Sequence, residues 1–325
     1  MIFSLNKISE GKTASPSFGL AILSWLGLAC FGPASQAATP LPLPPDIPFP
    51  SDIRKEHGIR LTIRFNSGEE VPVLFSTGDA CVFLDKSAES ALGKRLQGSR
   101  IYSPGHGWIT ASLFGKTSFS LGGTALKLQS DFPAYNGILT IDMHDHQAYQ
   151  AGARGYLGVD CLKHYCVQID FENHVLHFLD PDHFDKSKLG IAVPLSIPWT
   201  QSQVWVQDGI LGKRTERTLI NTAFPGDAAL NQKLFQGLFD VGQIDVFTNA
   251  FRGQEHLFFE GNLTNATFAG EKYRNLKVNE VSDENVLGLG FLAQHFVTFD
   301  FPHRRMYLKR LTAKTSAEPL SRARP

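Results

Sequence analysis

Two stretches of the chain repeat each other, and this repeat limits the possible folds more than any other feature. The first, GYLGVDCLKHYCVQIDFENHVLHFLD, begins at Gly155, and the second, NVLGLGFLAQHFVTFDFPHRRMYLKR, begins at Asn285. The Leu-Gly step at 157 and 158 recurs at 287 and 288, and the Asp-Phe pair at 170 and 171 recurs at 300 and 301. Each copy predicts a short helix (160 to 165 in the first), a strand, a turn and a second strand. The chain is therefore expected to contain one structural unit twice.

A small polar triplet ends an apolar strand pattern upstream of each copy. In VLFSTGDACVFL the triplet is Ser76-Thr77-Gly78, and in RTLINTAFPGDAAL it is Asn221-Thr222-Ala223. The order of triplet and Leu-Gly step is the same in both halves. We therefore predict two lobes, near residues 55–185 and 190–312.

The rest of the N-terminal half is rich in strand patterns. Short β-branched or aromatic runs alternate with Gly, Pro, Asn or Ser turns, in the order IRLTIRF, EVPVLFS, ACVFL, GWITASLFG, KTSFSLGG and LKLQSDFP. The glycine-rich PGHG at 104–107 lies between two runs and predicts the tip of a hairpin. These patterns predict an all-β protein with only short helices.

The plan of triplet, later hairpin and apolar Leu-Gly step resembles that of the aspartic peptidases, in particular bacterial two-lobed retropepsin-like or pepsin-like proteins. The resemblance covers almost the whole mature sequence. It implies the acid protease fold, in which the two triplet loops meet at a pseudo-two-fold axis above the Leu-Gly steps. It also implies that Thr77 and Thr222 cross-link the loops by hydrogen bonds. In that family each triplet begins with aspartate, and the two carboxylates share one proton and act as general base and general acid.

This chain departs from that pattern at the acids themselves. Ser76 and Asn221 stand where the resemblance implies aspartate, and Ala223 replaces a glycine. A hydroxyl and a neutral amide do not accept a proton from water at ordinary pH. Because the threonines and the glycines of the Leu-Gly steps are kept while both acids are lost, the pattern predicts an aspartic-peptidase-like protein without peptidase activity.

We expect such a protein to bind a peptide or protein ligand in the cleft between its lobes, where an extended peptide can add as a strand beneath the hairpin. The candidate binding residues are those of the triplets and of the hairpin: Thr77, Gly78, Thr222, Ala223, Gly105, His106 and Trp108. The alternative is an active aspartic-type endopeptidase with an unusual dyad. We expect a monomer without cofactor or metal.

Two nearby acids could in principle replace the missing dyad. Asp79 lies three positions after Ser76, and Asp227 lies six after Asn221. On an outgoing strand, at about 3.3 Å per residue, each carboxylate would lie roughly 10 Å or more from the dyad position. We therefore predict turn and cap roles for both acids. The repeated acids at 170 and 300 are expected to support turns or strand pairing.

Two other groups of residues favour catalysis or metal binding only weakly. The segment DMHDHQ, from Asp142 to Gln147, holds metal-ligand types but predicts a solvated loop. Serine chemistry at Ser76 would need a histidine base. The available histidines are His57, His106, His164 and His295, and nothing in their spacing selects one.

The N-terminus predicts export. Lys7 and Lys12 precede the apolar run FGLAILSWLGLACFG, and residues 1–37 fit a signal peptide, so the mature protein is expected to be periplasmic or secreted. A proline-rich extended arm follows at 38–54, and a solvated basic tail covers 313–325. The net charge of +0 and the lack of a basic stripe argue against nucleic-acid binding. No membrane span is expected after cleavage.

The mature chain retains three cysteines, in a compartment that permits disulfides. One bridge, of Cys81 with Cys161 or Cys166, would leave one thiol free. The alternative is that all three are small buried apolar residues.

Overall fold

The computed structural model describes residues 41–53, 57–103, 107–115, 117–129, 137–198, 203–211, 217–252, 256–281 and 284–311. The predicted signal peptide, the first residues of the arm and the basic tail lie outside this range. Within the described residues, no helix has the length and apolar character needed to span a membrane.

Strands and short helices make up the N-terminal half. The strands are β1 (Ile47–Pro48), β2 (Arg60–Phe65), β3 (Glu70–Phe75), β4 (Val82–Asp85), β5 (Arg95–Ser103), β6 (Gly107–Phe114), β7 (Phe119–Leu121), β8 (Thr124–Ala125), β9 (Ile138–Ile141), β10 (Gly155–Leu157), β11 (Cys166–Asp170) and β12 (Val175–Leu179). The helices are a 3-10 helix (Lys86–Ala91), α1 (Gln147–Gln150) and α2 (Val159–Leu162).

The C-terminal half has a similar content. Its strands are β13 (Ile191–Pro194), β14 (Trp205–Val206), β15 (Thr218–Asn221), β16 (Ala228–Asn231), β17 (Ile244–Arg252), β18 (His256–Phe268), β19 (Glu271–Val281), β20 (Asn285–Gly288), β21 (His295–Asp300) and β22 (Arg305–Arg310). Its helices are α3 (Gln232–Asp240) and α4 (Leu289–Leu292).

Each half forms its own sheet, and the two sheets have the same neighbour order. In the first sheet the described strands run β5-β6-β9-β4-β10-β3-β2-β7-β8, and in the second they run β14-β15-β20-β16-β19-β18-β17. The segment β3-β10-β4-β9-β6-β5 therefore matches β15-β20-β16-β19-β18-β17. This match confirms an all-β, acid-protease-like fold of two similar lobes with short helices.

The strand registers also match. Phe75, just before the first triplet, pairs in parallel with Leu157. Ile220, just before the second, pairs in parallel with Leu287. The sequence repeat thus places the triplet and the Leu-Gly step in the same relation in both lobes.

A third sheet joins the lobes, with the described strands in the order β1-β12-β11-β21-β22-β13. Its central pair, β11 and β21, is antiparallel, and Gln168 faces Thr298 there. Gln168 Nε2 donates a 2.9 Å hydrogen bond to Thr298 Oγ1. These two residues are separated by the same number of positions as Gly158 and Gly288. The pseudo-two-fold axis therefore passes between them.

The described part of the proline-rich arm is extended, as predicted, and packs on this joining sheet. Its strand β1 pairs with β12. Phe49 is buried and meets the ring of Phe171 edge-on, with ring centroids 6.1 Å apart. The arm therefore belongs to the packed body of the protein from Ile47 onward.

One predicted strand is not formed. The LKLQ part of LKLQSDFP is not a strand, because Leu126 N–H donates to Phe119 O and Gln129 N–H donates to Asp160 O, so no continuous ladder forms. The remaining residues of that run, 130–133, lie outside the described ranges.

Of the two alternatives for the cysteines, the disulfide is not present, because the three cysteines in the described part of the chain are free and buried. Cys81 lies in a small apolar cluster of the N-terminal lobe, whereas Cys161 lies in the main core. Their side chains thus face different packing layers. The alternative of three buried apolar residues is confirmed.

Candidate functional site

The two triplet loops meet and are cross-linked by their threonines. Thr77 Oγ1 donates to Ile220 O at 2.7 Å, and Thr222 Oγ1 donates to Phe75 O at 2.8 Å. Each threonine N–H also donates to the other threonine's Oγ1 at 3.1 Å. Both side chains are fully buried, so these bonds are shielded from water. The cross-link implied by the resemblance is present and symmetrical.

Glycine is required where the Leu-Gly steps pass beneath the loops. A Cβ on Gly158 would lie 2.2 Å from Cys81 O, and one on Gly288 would lie 2.3 Å from Gly226 O. These neighbours are backbone atoms, which cannot move away as the end of a flexible side chain can, and Gly226 O also accepts the Gly290 N–H at 3.0 Å. The close approach fixes each triplet loop against a short helix, and Val159 N–H donates to Asp79 O at 2.9 Å in the first lobe.

Ser76, at the first dyad position, is fully buried and bound to a carboxylate. Its Oγ donates to Asp79 Oδ2 at 2.7 Å. The prediction that Asp79 lies roughly 10 Å away is therefore wrong. It assumed an outgoing strand directly after the triplet, whereas the chain turns and β4 begins only at Val82. This turn brings Asp79 back beside Ser76.

The Asp79 carboxylate influences its surroundings. The pKa of Tyr156 is raised, mainly by burial and also by the negative charge of Asp79. The pKa of Cys81 is raised by burial, by Asp160 and by Asp79. One negative charge therefore lies at the first loop, in a partly exposed position.

Asn221, at the second dyad position, is hydrogen-bonded within its own loop. Its Oδ1 accepts the Ala223 N–H at 2.9 Å. Its side chain also lies against Gly78, because a Cβ there would come within 2.3 Å of Asn221 Cγ. A neutral amide thus fills the space between the triplets. The two dyad positions hold a hydroxyl and an amide, and neither is an acid.

Asp170 and Asp300 support turns, as predicted, whereas the turn or cap role predicted for Asp227 is wrong, because its carboxylate bonds to strand β19, distant in sequence. Asp227 Oδ2 accepts the Lys277 N–H at 3.0 Å. Asp170 Oδ1 accepts the Glu172 and Asn173 N–H groups, and the matching Asp300 accepts from the His303 ring at 2.8 Å. Asp170 and Asp300 thus hold local turns, and Asp227 joins the segment after the second triplet to β19.

Gln203 is a site residue that the sequence did not reveal. It is fully buried, and its Nε2 donates to Gly78 O at 2.7 Å. The next residue, Val204, donates its N–H to Thr77 O at 3.1 Å and accepts from Ile220 N–H. Ile59 O accepts from Phe75 N–H in the same way in the first lobe. Alignment of the two repeats upstream of the triplets is the signal that could have found it.

Apolar side chains from several elements lie near the first loop. Ile109 of β6, Tyr156 of β10 and Ala223 of the second triplet are partly exposed and pack on the same small apolar cluster as Cys81. Ala223 therefore joins the second loop to the packing of the first lobe. Through Ile109, strand β6 of the predicted hairpin packs on the same cluster.

The predicted hairpin is present up to its tip, since Ser103 pairs with Gly107 and Tyr102 pairs with Trp108. Gly105 and His106 lie outside the described residues. The backbone of Trp108 lies in strand β6, opposite Tyr102.

No histidine among the described residues is bonded to Ser76, whose Oγ partner is Asp79. His295 is buried elsewhere, with Nδ1 3.1 Å from Phe291 O and Nε2 2.9 Å from the Tyr273 hydroxyl. The geometry therefore does not support a serine-histidine pair with His295.

The DMHDHQ segment forms a solvated loop, as predicted. Asp142 and His144 are exposed and lie 2.8 Å apart, Oδ1 to Nδ1. Together with buried Asp85 they could offer three metal ligands, with ligand atoms within 4.8 Å of one another. The Asp85 oxygens, however, already accept from Ser87 N–H and Met143 N–H, so they serve as cap and loop supports.

Comparisons with known proteins find similarity to solved structures but not to curated sequences. No protein-family model and no curated protein match the chain. Among solved structures, basic 7S globulin from soybean is similar, with a TM-score of 0.49 and 13% sequence identity, over 82% of this chain and 95% of that chain. The likeness concerns the fold alone.

Proposed function

We propose that the protein is an exported, catalytically inactive protein of the aspartic-peptidase fold that binds an extended peptide or protein segment between its lobes. One observation carries the proposal: the cross-linked loops are intact, but the side chains at both dyad positions are neutral and bonded within their own loops. Ser76 donates to Asp79, and Asn221 accepts from Ala223. The paired-loop architecture is kept, and the acids that the resemblance implies at positions 76 and 221 are missing, which supports the proposal.

The chemistry explains why these replacements matter. Peptide hydrolysis by this fold depends on two carboxylates close enough to share a proton, so that one activates water while the other protonates the carbonyl. Asp79 is a single carboxylate, and one of its oxygens accepts the Ser76 hydroxyl. It lacks a carboxyl partner at Asn221. General acid-base catalysis typically contributes about 10²–10⁴-fold, and this site lacks the pair that would supply it.

Peptide binding is supported by the partly exposed apolar side chains beside the loops. Ile109, Tyr156 and Ala223 come from three separate elements and meet at one cluster. Small-molecule and peptide sites commonly combine such apolar walls with a few polar groups. The nearby polar groups are the Asp79 carboxylate and the loop backbone.

The test measures binding and cleavage together on the mature protein. A fluorescent library of unstructured peptides is incubated with it from pH 3 to 8, and both retention and hydrolysis are recorded. We expect retention without hydrolysis. Ala223→Trp should cover the partly exposed apolar surface that Ala223 shares with Ile109 and Tyr156 and abolish retention, whereas Lys233→Ala, at an exposed position on α3, should not change it. Retention unchanged by Ala223→Trp would contradict the proposed location.

The second candidate is a peptidase with an unusual dyad, and the short Ser76–Asp79 contact is the observation that favours it. That candidate requires hydrolysis in the same assay, lost on both Asp79→Asn and Ser76→Ala. The double change Ser76→Asp with Asn221→Asp provides a further check. Pepstatin-sensitive cleavage by this variant would support intact site geometry. If it is inert, Asp79→Ser is added to remove the third carboxylate, and a folded but inert triple variant would weaken the match of the triplets to the catalytic ones.

A further inference from the structure

The Asp79 carboxylate has a position that none of the other described acids shares. It lies one hydrogen bond, 2.7 Å, from the side chain at the first dyad position. It is partly exposed, whereas Ser76, Thr77 and Gly78 before it are buried. The charge is thus at the surface of the paired loops and not beneath them.

The described residues offer Asp79 no ion-pair partner. Within the described part of the chain, no lysine, arginine or histidine forms an ion pair with Asp79. The next acid, Asp160, is buried and already paired with Lys163 at 3.5 Å. The Ser76 hydroxyl donates to Asp79 Oδ2 and fixes the direction of that carboxylate. The structure therefore leaves Oδ1 and one net negative charge for a ligand.

Apolar surface lies around this charge. Tyr156 and Ile109 are partly exposed, and both pack on the cluster that contains Cys81, two residues from Asp79. The pKa of Tyr156 is raised by burial and, to a smaller extent, by the negative charge of Asp79. An apolar wall ending in a carboxylate suits a side chain with an apolar stem and a cationic head.

We propose that Asp79 selects peptides with a lysine or arginine side chain at the centre of the bound segment, with the stem against Tyr156 and Ile109 and the cationic head on the carboxylate. This inference rests on the proposed peptide-binding function. Hydrogen bonds between ionised groups are about twice as strong as neutral ones, and a ligand charge that meets an unpaired carboxylate also gains Coulomb attraction. A preference of about tenfold or more for basic peptides is the expected size.

The experiment uses the mature full chain and four pools of N-acetylated, C-amidated peptides. The pools are random at every position except a fixed central residue, which is Lys, Arg, Gln or Glu. Affinities are measured by fluorescence polarisation at pH 7 in low and high salt. We expect the Lys and Arg pools to bind about tenfold more tightly than the Gln pool, the Glu pool to bind most weakly, and the difference to shrink in high salt.

Asp79→Asn should remove the preference by weakening only the basic pools, to the level of the Gln pool. Asp79→Ser is a second variant that also removes the charge and retains a partner for Ser76, should the amide disturb the loop. Asp240→Asn removes an exposed carboxylate at the end of α3 and should leave the preference unchanged.

The outcomes separate the two proposals. Equal affinity for all four pools, or a basic preference that survives both Asp79 variants, overturns the role of Asp79 and leaves peptide binding in place. Binding of none of the pools overturns both. A basic preference lost in the Asp79 variants, with the Gln pool unaffected, supports both.

Discussion

Ser76→Asp tests directly whether the first loop tolerates the acid that the fold's peptidases carry there. The side chain at this position is fully buried, and its terminal atom lies 2.7 Å from Asp79 Oδ2. The substitution replaces a hydroxyl that donates to Asp79 by a carboxylate that repels it. Two unit charges about 4 Å apart repel by about 4 kcal/mol at an effective dielectric constant of about 20. We therefore expect a strong loss of stability at neutral pH.

The pH dependence of this loss follows from the proton balance. The pair of carboxylates in the folded variant holds a proton more tightly than the unfolded chain does. Below about pH 4 both states are protonated and the penalty is absent. As the pH rises above about 4 the unfolded state loses its proton first, so the folded state becomes less favourable. A penalty of about 4 kcal/mol corresponds to roughly three pH units, so it should be complete near pH 7.

The assay is urea unfolding at several pH values between 3 and 8. Ser76→Asn is the matched control, because asparagine has nearly the same volume as aspartate and no charge. We expect Ser76→Asp to be about 4 kcal/mol less stable than this control at pH 8 and equally stable near pH 3.5. The exchange Ser76→Asp with Asp79→Ser should recover most of the loss, since one donor and one carboxylate again face each other.

Equal stability of Ser76→Asp and Ser76→Asn at pH 8 would refute this reasoning. It would mean that the Asp79 carboxylate moves away from position 76 at little cost. In that case Asp79 would not restrict the acid at the first dyad position, and the restored variants would be expected to behave as a simple dyad.

Three further predictions concern the framework of the site. Thr77→Val leaves a buried carbonyl and a buried N–H unpaired and should cost about 2 to 4 kcal/mol in urea unfolding, whereas Thr77→Ser keeps the hydroxyl and should cost clearly less. Gly288→Ala places a methyl group 2.3 Å from Gly226 O and should prevent folding or lower the free energy of unfolding by several kcal/mol. The control Gly237→Ala, in α3, meets nothing within 4 Å and should stabilise the protein by about 0.5 to 1 kcal/mol. Equal effects of the two substitutions would contradict the close approach at Gly288. Burial lowers the pKa of His295, so the unfolded chain takes up a proton at this side chain at a higher pH than the folded protein does. The contribution of His295 to the free energy of unfolding is therefore fully present above about pH 6.5 and is lost as the pH falls below it. His295→Gln should flatten this fall between pH 7 and 5 in urea unfolding.

The repeat in the sequence was sufficient to predict the architecture. A Leu-Gly step and an Asp-Phe pair recur in order after each triplet, and the registers of Phe75 with Leu157 and of Ile220 with Leu287 follow that order. Alternation of apolar and polar residues does not show where the hydrogen-bonded pairing of a strand ends. The wrong strand after Thr124–Ala125 shows this, because its N–H groups bond to two different segments.

The site could be predicted only in part. The repeat and the resemblance together predicted the threonine cross-link and the equivalence of positions 76 and 221. This worked because each triplet directly follows a strand whose register is the same in both lobes. The Ser76–Asp79 bond did not follow, since it depends on the turn at Gly78, and strand spacing fails where the chain reverses. Gln203 was missed because it reaches the loop from a segment with no strand pattern of its own.

The threonine cross-link explains how the paired loops can persist without acids at positions 76 and 221. The bonds that join the loops run from threonine hydroxyls and N–H groups to backbone carbonyls and to each other, and none involves the side chain at 76 or 221. Two buried carboxylates would repel each other and pay a desolvation penalty. A hydroxyl and an amide, each bonded locally, avoid both costs. The cross-link of the paired loops therefore loses no hydrogen bond when positions 76 and 221 carry a hydroxyl and an amide in place of acids.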